Sequence, residues 1–132
     1  MNSLNNLLYF LSYFVIALAL LSVFLVIYAR ITRHDEWALL QQGNAAASVS
    51  LLGATLGFAL PLGSVIAHSA GIGDLVVWAI VAMVVQLLSY FLVRAARPDV
   101  SSAIERGEMA AAVLLGGGGV VMGVLNAACL TY

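Results

Sequence analysis

The sequence predicts an all-α membrane protein of four transmembrane helices, arising by tandem duplication of a two-helix hairpin. Three observations carry the spanning helices. Of the 132 residues, 64% are hydrophobic and 8% charged, whereas about a quarter of a soluble domain is charged. The charges are also confined, with no Asp, Glu, Lys or Arg between Met1 and Ala29, Gly43 and Gly73, Leu75 and Val93, or after Glu108. Each apolar block holds at least about 19 residues, enough at about 1.5 Å per residue to cross a hydrocarbon layer roughly 30 Å thick. Finally, runs such as Val15–Leu21 are apolar throughout, where a membrane β-strand would alternate.

Helix one is expected over about Leu7–Ala29. It lacks a positively charged start and its apolar run outlasts a secretory signal core, so it reads as a retained span. The link Arg30–Gln42 follows. There, Trp37 and Leu39-Leu40 fit either a short helix at the membrane interface or an ordinary juxtamembrane turn. Helix two, about Gly43–His68, contains Gly53-Ala54-Thr55-Leu56-Gly57 and then Pro61, which removes a backbone donor and predicts a kink.

The turn Ser69–Asp74 is short and carries Gly71 and Gly73, making helices two and three neighbours and bringing His68 and Asp74 close enough to pair. Helix three, about Leu75–Val93, places Gln86 and Ser89 one turn apart. In the link Arg94–Gly107, Ser102-Ala103-Ile104-Glu105 has capping-box spacing, so a short helix is expected before helix four. Helix four, about Glu108–Leu130, contains Gly116-Gly117-Gly118-Gly119, then Gly123 and Asn126. Asn44 and Glu108 stand at matching inner starts, where side-chain oxygens can cap free amides.

An ungapped shift of 64 residues places Arg30 on Arg94, Arg33 on Arg97, Asp35 on Asp99 and Gly43 on Gly107, and the match runs on through Ala46/Ala110 to Gly53/Gly117. This is the pattern of an internal repeat. One membrane domain over 1–132 is expected, with repeats at about 7–68 and 75–130. Two spans per unit leave both repeats in the same orientation, related by an axis along the membrane normal. All five arginines, Arg30, Arg33, Arg94, Arg97 and Arg106, lie in the two long links. Positive loops stay in the cytoplasm, which predicts an N-out, C-out topology.

Small residues at Gly53, Gly57, Gly116, Gly119 and Gly123 let helix backbones approach closely, so helices two and four are expected to meet there. A glycine hinge or gate is the alternative. The run lacks the lysine and hydroxyl of a phosphate loop.

A net charge of -1 with no lysine offers nothing to a nucleic acid. Cys129 is the sole cysteine and forms no intrachain disulfide. There is no nucleophile–base set, metal-ligand spacing or cofactor motif. Gln86, Ser89 and Asn126 are expected to bond between helices, or alternatively to line a polar path. No buried Asp, Glu, Lys or Arg is expected to join them, which argues against active transport.

The segments Gly43–Ala47, Ala59–Ser69, Asp74, Trp78, Val85–Leu88 and Gly123–Cys129 together resemble the YjfL-like family of small bacterial inner-membrane proteins. The resemblance covers nearly the whole chain. It implies a four-helix, two-repeat, multi-pass plasma-membrane protein of a domain of unknown function. Members of that family are similar in often being encoded beside phage-shock-type proteins, which implies a role in membrane maintenance or stress.

Two functions are therefore expected to compete. One is a non-enzymatic scaffold, homo-oligomeric through its glycine faces, that presents the five arginines to anionic lipid or to a phage-shock-type cytoplasmic partner. The other is a passive oligomeric channel lined by Gln86, Ser89 and Asn126.

Overall fold

The computed structural model describes residues 2–130, and among these it contains six helices and no strand. They are α1 (Ser3–Ile31), α2 (Glu36–Gln41), α3 (Ala45–His68), α4 (Ile72–Ala96), α5 (Val100–Glu105) and α6 (Met109–Cys129). The four long ones, α1, α3, α4 and α6, have the length and hydropathy of membrane spans. With 29 residues, α1 outruns the expected span at both ends. Its start is set by Asn2, whose side chain accepts from the Asn5 amide at 2.9 Å.

Each long link folds around a short helix. Both short helices end in a Schellman motif. Gly43 and Gly107, at φ +77° and +79°, take the left-handed conformation that glycine adopts without a Cβ penalty. Their amides donate to Leu40 and Ile104, while those of Asn44 and Glu108 donate to Leu39 and Ala103. The two motifs are 64 residues apart, as are the starts of α2 and α5 and those of α3 and α6.

The caps depart from the matched expectation. Asn44 caps α3 by accepting from the Ala47 amide at 3.0 Å, but Glu108 makes no cap bond on α6. Its carboxylate is taken by Arg97, 2.6 Å away. The capping box is not used either, because α5 begins at Val100 and Ser102 lies inside it.

Helices α3 and α6 run parallel at the centre. Gly53 faces the backbone of Gly116, Gly57 that of Gly119, and Gly123 that of Gly57. Further along, Ser64 donates to the Ala127 carbonyl at 3.0 Å. A β-carbon on Gly57 would lie 2.6 Å from the Gly119 carbonyl oxygen, and one on Gly116 2.8 Å from that of Val49. Such close approach is how spans associate in lipid, where packing replaces the hydrophobic effect. The glycine faces are thus filled within one chain. Gly117 and Gly63 meet nothing within 4 Å. Pro61 is buried in α3, which remains one helix from Ala45 to His68.

Helix α4 runs antiparallel beside this pair, while α1 is held loosely. Only Phe24 and Tyr28 of α1 are buried. Phe24 stacks on Phe58 of α3 with ring centroids 4.6 Å apart, and Leu4, Leu7, Leu8, Tyr9, Phe10 and Leu11 are exposed.

Candidate functional site: a buried polar cluster at the arginine end

Beyond α1 the chain leaves helical geometry at Thr32 (ψ 144°) and turns inward. His34 is thereby buried, and so is Glu36, the first residue of α2, with 2% and 3% of their surfaces exposed. The next layer comes from the second half of the chain. Ser101 of α5 bonds His34 Nδ1 at 3.0 Å and lies 3.3 Å from the Tyr90 hydroxyl of α4. His34 Nε2 stands 3.1 Å from Glu36 Oε1, an ion-pair distance without the alignment of a hydrogen bond. Both Glu36 oxygens, His34 Nε2 and the Tyr28 hydroxyl are buried without a hydrogen-bond partner. Tyr28 meets Tyr90 edge to face, with centroids 6.1 Å apart.

Tyr28 and Tyr90 also wall a small cavity of about 10 Å³, completed by Gln86, Ser89, Gly119 and apolar neighbours. That is close to the minimum for one water. On its far side Gln86 Nε2 donates to the Gly119 carbonyl at 3.2 Å. Asn126 Nδ2 donates to the Ala82 carbonyl at 3.1 Å and lies 3.5 Å from Gln86 Oε1. The structure therefore sets Asn126 against Gln86, and Ser89 beside Gln86 in the cavity wall. Glu36 is a buried carboxylate, but it stands at the start of α2 in the link and is not among the residues lining this cavity.

The arginines divide into two groups. Arg97 binds Asp99 at 3.1 Å as well as Glu108, and these carboxylates, Glu108 first, raise its pKa above the usual value. Arg106 lies 3.8 Å from Asp99 and 3.6 Å from Glu108. Arg30 and Arg33 are exposed and Arg94 half-buried. Among the described residues, His68 Nδ1 bonds the Ser64 carbonyl, Asp74 accepts from the Ala70 amide, and no cluster of three His, Cys, Asp or Glu forms a metal site.

Sequence reasoning missed Tyr28, His34, Glu36, Tyr90 and Ser101. One signal was available in the 64-residue register, which sets Tyr28 on Leu92 and Glu36 on Val100. Polar residues in the first copy stand where the second has apolar ones.

The domain family described as Domain of Unknown Function (DUF350) matches residues 1–130. Inner membrane protein YjfL of Escherichia coli, in strain K12 and in O157:H7, is 39% identical over the full length of both chains. Transmembrane protein YshE of Bacillus subtilis is 27% identical over 88 residues, 67% of this chain and 66% of that one. No solved structure matches the chain. With four spans and full-length similarity to inner-membrane relatives, this chain is a multi-pass bacterial inner-membrane protein and belongs to the DUF350 family.

Proposed function

We propose that the protein is a non-enzymatic membrane scaffold whose arginine end faces the cytoplasm and engages anionic headgroups of the inner leaflet. The observation that carries this reading is the unequal state of the arginines. Arg97 and Arg106 are neutralised by Asp99 and Glu108, whereas Arg30 and Arg33 are exposed beside Trp37, itself 69% exposed. Tryptophan favours the headgroup layer, and a basic residue near the surface adds about 1 kcal/mol of attraction to anionic lipid. The recurrence of short helix, Schellman glycine and long helix supports an origin by duplication. A phage-shock-type partner on the same face, and self-association through the exposed side of α1, belong to this reading.

Anionic lipid retained by the purified protein in native mass spectrometry tests it. Replacing Arg30 and Arg33 together by Gln should lower retention on the order of tenfold, from about 1 kcal/mol per arginine less the offset from nearby acids. The same change at Arg97 and Arg106 should do far less. Equal losses from both pairs would contradict the reading.

A passive channel along Gln86, Ser89 and Asn126 is the second reading, favoured by their alignment. A cavity of about 10 Å³ does not conduct, so this reading needs several subunits and measurable ion flux in proteoliposomes.

A further inference from the structure

Glu36 is a carboxylate that the fold has no structural need to bury. Its counterpart at the start of α5 is Val100, fully buried with no polar atom to satisfy. Taking a carboxylate out of water costs several kcal/mol unless it is paired, hydrogen-bonded or protonated. Asp35 next to it already caps α2 through the Ala38 amide at 3.1 Å, so Glu36 is not needed for that either. What surrounds Glu36 is a set of groups able to exchange one proton: His34 Nε2 at 3.1 Å, and the partnerless hydroxyl of Tyr28. Glu36 is also close enough to Tyr28 to act on it electrostatically.

We infer that His34 and Glu36, with Tyr28 beside them, form a proton-binding site reached from the arginine end. The bond pattern is compatible with the unloaded state we assign, in which Tyr90 donates to Ser101, Ser101 donates to His34 Nδ1, the imidazole hydrogen lies on Nε2, and Glu36 carries no proton. The cluster then carries one negative charge. A single proton, taken from water at this end, discharges it. Placed on Glu36, it makes the carboxyl neutral. Placed on His34 Nδ1, it makes an imidazolium–carboxylate pair and turns Ser101 from donor to acceptor. In either case the loaded cluster has no net charge, and no other reactant is consumed.

The groups facing the pair from the packed elements are few. They are Tyr28 from α1 and Tyr90 from α4, while the buried residues of α5 are Val100, Ser101, Ala103 and Ile104, and the nearest buried ones of α3 are Ala46, Ala47 and Ser50. Arg30, Arg33 and Asp35 are exposed. A metal ion is a poorer occupant, since two ligands of metal type fall short of a coordination shell. Because the ligands of the proton come from the link before α3 and their support from α4 and α5, loading bears on how the two halves of the inner end hold together.

The test is a proton-uptake titration of the full chain in lipid nanodiscs, from about pH 9 to about pH 5.5, a range in which exposed carboxylates stay largely ionised. Glu36→Val copies the Val100 position and should keep the fold, checked by circular dichroism. Glu36→Gln keeps the shape of the side chain and serves if the valine variant does not fold. The wild type should take up about one proton per chain more than either variant, because a buried imidazole without its carboxylate stays neutral. On acidification the wild type should also show higher amide protection in α2 and α5, after correction for the intrinsic exchange rate at each pH, a gain lost in the variants. Equal uptake by wild type and folded variant would overturn the site, as would a wild type that takes up no proton beyond its exposed groups.

Discussion

At the scale of single residues, the fold turns on atoms that are absent. Pro61 has no amide hydrogen, so the Gly57 carbonyl one turn earlier loses its usual helical donor. That carbonyl faces Gly123, whose missing side chain lets the backbone of α6 reach it, a contact of the weak Cα–H···O kind. Side chains added to this seam must therefore push helices apart. Gly57→Val or Gly123→Val should cost about 1–3 kcal/mol or more by overpacking, while Gly63→Ala and Gly117→Ala, at positions with open space, should leave stability unchanged or slightly raised. Thermal unfolding in detergent measures both. The candidate glycines could be read from spacing, since small residues three or four apart share a helix face. Glu36 could not, because in sequence it looks like one more charge in a polar link. Only the tertiary packing of α2 against α3 buries it.

At the scale of elements, the two junctions at the arginine end are alike in outline and different in chemistry. Asn44 both caps α3 and donates through Nδ2 to the Ile104 and Glu105 carbonyls, at 3.0 and 3.3 Å, which ties the first link to the second. Its counterpart Glu108 instead forms ion pairs with Arg97 and Arg106. Asn44→Ala should destabilise the protein by about 1–2 kcal/mol through lost capping and tethering bonds, whereas Glu108→Ala should cost less and its effect should fade as salt rises. Denaturation at two ionic strengths separates these outcomes. The four spans were legible because charge gaps as long as a bilayer is thick leave little choice. The caps were not, because Asn, Asp and Glu at a helix start can face either the helix or a neighbouring arginine, and it is in the second link that an arginine, Arg97, turns onto the cap residue.

For the whole molecule, the arrangement is a close-packed pair, α3 and α6, with α4 laid against both and α1 hinged on through Phe24 and Tyr28. The exposed apolar length of α1 is no liability in lipid, which solvates it as well as another helix would. Its arginine end carries the basic surface and leads into the link that holds His34 and Glu36. Both functional readings of that end depend on which side of the membrane it faces. Sequence supplies the expectation through its five arginines, but an orientation is a property of the chain in its bilayer. Labelling of single cysteines by a membrane-impermeant thiol reagent in intact cells measures it. In a Cys129→Ser background, Gly73→Cys at the start of α4 should react in intact cells, and Trp37→Cys at the start of α2 only after permeabilisation. The opposite pattern would place the arginine end outside and contradict the account.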